Sequence, residues 1–113
     1  MKKIASNYIF MPGFPLIRNG YIEWEKGEFL RVVHTDGLLQ ELPGLEFYGG
    51  LLVSSRVQEL VRFWTPGMQI LPEIERLYHS LHDPLDGLSL IAGIDYKEFR
   101  WEKRATIELL NLN

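Results

Sequence analysis

Cysteine is absent from this 113-residue chain. Disulfides, thiolate nucleophiles and cysteine-ligated zinc or iron–sulfur centres are thereby excluded. No apolar run approaches the roughly 18 residues that a membrane-crossing helix needs. Ser6-Asn7-Tyr8 also interrupts the apolar stretch that a secretory signal would require behind Lys2-Lys3. Neither a membrane partner nor export is expected, and the cytoplasm is the expected location. Positive charge is in deficit, with 12 Lys and Arg against 15 Asp and Glu and a formal net charge of -3. The short basic spots are broken by acids, so no nucleic-acid partner is expected. Gly44, Gly49 and Gly50 lack the spacing and the Lys-Ser/Thr pair of a phosphate loop.

What is present reads as folded protein. Hydrophobic residues make up 46% of the chain and aromatics run along its whole length, which argues against disorder. A chain of this size fits one domain, 1–113, burying roughly 60–70% of the surface it exposes when unfolded. Residues 2–10 alternate as a strand, with Ile4, Ser6, Tyr8 and Phe10 on one side and Ala5, Asn7, Ile9 and Met11 on the other. Pro12, Gly13 and Pro15 forbid its continuation, and Arg18-Asn19-Gly20 predicts a turn. Tyr21–Glu25 and Glu28–His34 flank Lys26-Gly27 as a hairpin. Short extended pieces follow at Leu38–Leu42, Leu45–Tyr48 and Leu51–Val53, with glycine corners that predict a bent sheet.

The period changes at Ser54. Ser55 and Gln58 have capping-box spacing, and Val57, Leu60, Val61 and Trp64 recur at helical intervals until Thr65-Pro66-Gly67. A second helix is predicted from Leu71, with Pro72 in its first turn and Ile74, Leu77, Tyr78 and Leu81 on its apolar face. Strand character returns at Leu88–Ala92 and again around Phe99–Trp101 and Thr106–Leu110. These late strands are too few to build a core alone and must join the early ones. The expected fold is mainly β with a helical insertion, an α+β fold. A helical hairpin, 55–82, lies between β halves 2–53 and 87–112 and covers a bent mixed sheet or small pseudobarrel.

Ile4-Ala5-Ser6-Asn7-Tyr8-Ile9-Phe10, followed by Leu16-Ile17-Arg18-Asn19-Gly20-Tyr21-Ile22 and by Gly44-Leu45-Glu46-Phe47-Tyr48-Gly49-Gly50-Leu51-Leu52-Val53, resembles the opening of metal-dependent amidohydrolases that carry a small composite β-domain. Gly87-Leu88-Ser89-Leu90-Ile91-Ala92-Gly93-Ile94-Asp95 resembles the return into that domain. Where the family continues to a His-x-His metal motif on its first barrel strand, this chain has Ser54-Ser55-Arg56-Val57. Residues 54–86 cannot hold a barrel of about 250 residues. The resemblance therefore implies a non-catalytic structural or protein-interaction domain with no cofactor, whose partner is a second copy or another protein. The alternatives are a small-ligand or metal-binding module, and a fragment or subunit of a hydrolase whose catalytic part lies elsewhere.

Candidate sites are few. Histidine occurs only at 34, 79 and 82. His79 and His82 have the spacing to share a metal with Asp83 or Asp86, though no third ligand stands at a diagnostic interval. Glu23, Glu25 and Glu28 cluster at the hairpin, where alternation with Trp24 and Lys26 reads as an exposed edge. No serine has an evident activating base. Phe63, Trp64, Met68 and Tyr78 form the apolar group most suited either to covering the sheet or to meeting a protein partner.

Overall fold

The computed structural model describes residues 1–35, 43–82 and 87–112, except the side chain of Leu30, and among these described residues alternating apolar positions produce six strands. The strands are β1 (Lys2–Phe10), β2 (Ile17–Glu25), β3 (Glu28–His34), β4 (Leu45–Ser54), β5 (Leu88–Ala92) and β6 (Thr106–Leu109). They form one mixed sheet in the order β3-β2-β1-β4-β5-β6, curled into a half-barrel. β1 and β4 run parallel, and every other neighbouring pair is antiparallel. The early and late segments thus meet through β4 and β5, as expected. The extended piece at Leu38–Leu42 lies outside the described residues.

Two clusters fill the two faces. One gathers Leu51, Val53, Val57, Trp64, Ile70, Ile74, Tyr78, Ile91, Ile94 and Trp101 under the helices. On the opposite face, Ile4, Ile9, Met11, Ile22, Trp24, Leu52, Leu88 and Leu90 pack together. Trp24 is buried there, and its Nε1 has no acceptor among the described residues.

Ile4 and Ile9 share a face although their separation is odd, which corrects the unbroken alternation expected for residues 2–10. The change occurs at one transverse row. Asn7 of β1 and Asn19 of β2 stand between the pairs Ser6–Gly20 and Tyr8–Arg18. β4 spends two residues, Gly49 and Gly50, on the same step. Asn19 takes a positive φ of 56°, so the left-handed conformation expected there exists inside a strand and not at a turn. Asn7 Oδ1 accepts from Gly50 N at 2.9 Å, and Ser6 Oγ donates to Gly50 O at 2.5 Å. Gly50 has φ 143°, and a Cβ there would lie 2.3 Å from Ile91 O. A side chain at Gly20 would lie 2.6 Å from Val33 O. Polar side chains and missing Cβ atoms together bend the sheet.

The first helix is much shorter than expected. Ser54, not Ser55, caps it, its Oγ accepting from Arg56 N at 3.2 Å. A 3-10 turn at Ser55–Val57 then leads into α1 (Gln58–Val61). Gln58 turns away from the expected capping box and donates to Ser89 Oγ at 3.2 Å. Pro66 restricts the residue before it. The chain then leaves the helix so that Gly67 N, Trp101 N and Ile70 N can bond Trp101 O, Met68 O and Phe99 O at 2.7, 2.8 and 3.0 Å. Those bonds replace the strand expected at Phe99–Trp101, where Arg100 makes only isolated bridges to Gln69 and Asp95.

The second helix, α2 (Leu71–Ser80), begins as predicted with Pro72 in its first turn. It buries Ile74 and Tyr78 on the sheet, each such side chain contributing about 1.5–3 kcal/mol of transfer free energy. Among the described residues no helix is long and apolar enough to cross a membrane.

Two neighbouring glycines separate the bend from plain glycine content. Gly50→Ala meets backbone that cannot swing aside, and it should destabilise by about 2 kcal/mol or more in urea unfolding. At Gly49 the added methyl would find its nearest neighbour at an ordinary 3.8 Å. Gly49→Ala should stay within about 0.5 kcal/mol of the parent; equal losses at both positions would contradict the role given to Gly50.

Candidate functional site

The bend has a chemical consequence on the helix-covered face. Beyond Asn7, Tyr8 and Arg18 face each other across the β1–β2 ladder. The β5–β6 connection brings Tyr96 onto Tyr8, with ring centroids 5.7 Å apart and planes 12° from parallel. Phe99 meets both rings edge-on, at 5.0 Å from Tyr8 and 6.4 Å from Tyr96. Asn7, Tyr8, Arg18, Asn19 and Tyr96 line an open recess of about 310 Å³. That volume is at the small end of ligand-binding cavities.

Donors dominate this lining. Asn7 Oδ1 is committed to Gly50 N–H, which leaves the amide NH₂ as its remaining polar group. Asn19 is held through its carbonyl, which accepts from Thr35 Oγ1. The exposed Arg18 has no carboxylate partner among the described residues. Burial raises Tyr96 above the ordinary tyrosine range, a hydrogen bond from the Gly93 backbone opposes the shift, and Tyr8 adds to it. Among the described residues no Asp or Glu lines the recess. A larger hollow of about 740 Å³ beside Ile94, Asp95, Glu102, Lys103 and Arg104 carries both signs of charge on one connection. It therefore lacks the recess's one-sided chemistry.

The residues singled out in the sequence lie elsewhere. His79 is exposed near the end of α2 and His82 is exposed two residues beyond it. Asp83 and Asp86, their expected oxygen donors, fall outside the described residues. No group of three or more His, Asp or Glu suited to a metal occurs among the described residues. The four apolar candidates separate by depth. Trp64 is buried edge-on to Trp101 at 5.2 Å, while Met68 is half-buried against the same cluster. Phe63 is 65% exposed, with the Arg62 guanidinium 4.8 Å over its ring.

Tyr78, the fourth, ties helix to sheet: its hydroxyl donates to Phe10 O at 2.6 Å and accepts from Ser54 N at 3.0 Å. Glu23, read as part of an exposed edge, is buried on an inner strand and bonded to Arg31. Sequence reasoning missed the recess. Its signal was two asparagines in apolar strand patterns and an arginine without an acid beside it.

Comparison with protein-family models, with curated proteins and with solved structures found no match for the chain.

Burial drives the Tyr78 phenol strongly upward, with the bond from Ser54 opposing. A folded-state value above the unfolded one of about 10 means that this contribution is complete below pH 10 and is lost as pH rises beyond it. Urea unfolding should therefore show stability falling above pH 10. Tyr78→Phe should flatten that fall while costing about 1–3 kcal/mol at neutral pH, because two buried backbone groups lose their partner. An unchanged alkaline limb in the variant would assign the fall to other groups.

Proposed function

We propose that this chain is a non-catalytic interaction domain related to the small β-domain of amidohydrolases, and that the corner recess receives a group from its binding partner. One observation carries the reading. Three separate stretches of chain, at Asn7-Tyr8, Arg18-Asn19 and Tyr96, converge on one donor-rich hollow. The hollow gives a ligand both polar and aromatic contact, and its charged group, Arg18, makes none of the bonds that hold the bend.

The chemistry of the lining supports binding over turnover. A guanidinium offers five N–H donors and no acceptor, and asparagine amides do not ionise in the neutral range. Tyr96 is pushed further from that range by burial. General acid–base catalysis works best when the group's pKa lies near the operating pH. Such a set suits recognition. The relation to amidohydrolase small domains draws support from two β halves that meet in one sheet around a helical insert.

A ligand-observed NMR screen of acids, amines and neutral compounds, followed by backbone amide mapping on the full chain, tests this reading. Hits should cluster on Asn7, Tyr8, Arg18, Asn19 and Tyr96 and be recovered chemically unchanged. Consumption of a hit, or mapping of every hit away from the recess, would defeat the proposal.

A further inference from the structure

Resting on that binding reading, we infer that the corner recess recognises a carboxylate carried on a flat, unsaturated body. The argument begins with charge. The chain has a formal net charge of -3, so an anion approaching at random meets a repulsive average field. The recess reverses this locally, because Arg18 is its charged group and no acid lines it among the described residues. Among the described residues no carboxylate already occupies the Arg18 fork.

Geometry narrows the class. A planar guanidinium matches a carboxylate through two parallel N–H···O bonds. The Asn7 amide, fixed by its bond from Gly50, and the Asn19 amide supply further donors at the same rim. A single cation balances a single negative charge, whereas a phosphate near neutral pH carries up to two and three acceptor oxygens. The monoanion fits better. The carboxylate's body would lie against rings already held nearly parallel, Tyr8 and Tyr96, with Phe99 bracing both edge-on. Aromatic rings favour offset stacking with a flat partner. At about 310 Å³ the recess accommodates one ring with its acid group, or one terminal residue of a peptide.

The test titrates the full chain with benzoate, benzamide and benzylamine, following amide resonances at fixed ionic strength. Arg18 is exposed and has no carboxylate partner among the described residues, so Arg18→Gln and Arg18→Lys should keep the parent spectrum, which the same measurement verifies. Benzoate should shift the resonances of Asn7, Tyr8, Arg18, Asn19 and Tyr96 saturably, and benzamide and benzylamine should not. Arg18→Gln should weaken benzoate by about tenfold or more. Arg18→Lys should retain part of the binding, since it keeps the charge and loses the fork.

A short peptide ending in phenylalanine, with a free or an amidated C-terminus, distinguishes the two sources of the same chemistry. Tighter binding of the free-acid peptide than of benzoate assigns the carboxylate to a protein terminus, and the reverse order assigns it to a free small acid. Benzamide binding as tightly as benzoate, or Arg18→Gln leaving benzoate unaffected, overturns the carboxylate assignment while the binding reading stands. Silence of the recess to benzoate also overturns it; if the wider screen then finds no ligand there either, both readings fall together.

Discussion

The transverse row of Asn7, Asn19, Gly49 and Gly50 is the constraint on which the rest of the structure depends. A flat mixed sheet with this alternation would put Ile4 and Ile9 on opposite faces. The bend lets both enter one cluster, and it sends Tyr8 and Phe10 to the helix-covered side. It works because the row's backbone groups find partners across strands, through Ser6 and Asn7 to Gly50 and through Thr35 to Asn19. Buried backbone polar groups left unpaired would cost about 1–3 kcal/mol each. Local polarity is therefore what permits two apolar faces.

From the bend, the helical cover follows. Once Tyr8 and Phe10 face that side, Tyr78 can reach from α2 to the Phe10 carbonyl and the Ser54 amide, and Phe10 packs against its ring at 5.3 Å. Trp64, delivered by the short α1 turn, closes the same cluster against Trp101. Segment 67–70 is bonded along its backbone to 99–101, so the helical insert and the β5–β6 connection are held as one layer. That layer carries Tyr96 and Phe99 to Tyr8. Packing needs and the position of the recess have a common origin.

Much of this was legible where pattern and punctuation agree. Lys26-Gly27 marked the hairpin, Pro72 marked the start of α2, and Leu88–Ala92 matched β5 residue for residue. The bend was illegible because both faces of β1 are apolar, so a change of face at Asn7 leaves the hydrophobic pattern looking continuous. α1 was over-read for a related reason. Val57 and Trp64 are both buried, but the second arrives through a turn that tertiary backbone bonds impose, and burial at helical spacing does not require a helix. The recess was hidden because its members come from three places in the chain, and only the sheet register sets Tyr8 beside Arg18.

The residues that make the recess divide into those that hold the fold and those that do not. Asn7 serves both, since its carbonyl oxygen supports the bend and its amide faces the remaining space. Arg18 serves the fold little: it is exposed, has no carboxylate partner among the described residues, and stands at a strand position where even an ion pair would contribute only about 0–1 kcal/mol. A long exposed cation beside two stacked tyrosines is near-neutral for stability and consequential for binding, since its donors can meet a ligand without breaking any bond formed among the described residues. The ordering cost that ligand meets is small as well, because Phe99 already restrains both rings and rings fixed in advance lose little rotamer freedom on association. Stability and recognition therefore rest on different atoms of the same corner, and a substitution at Arg18 can change one without the other.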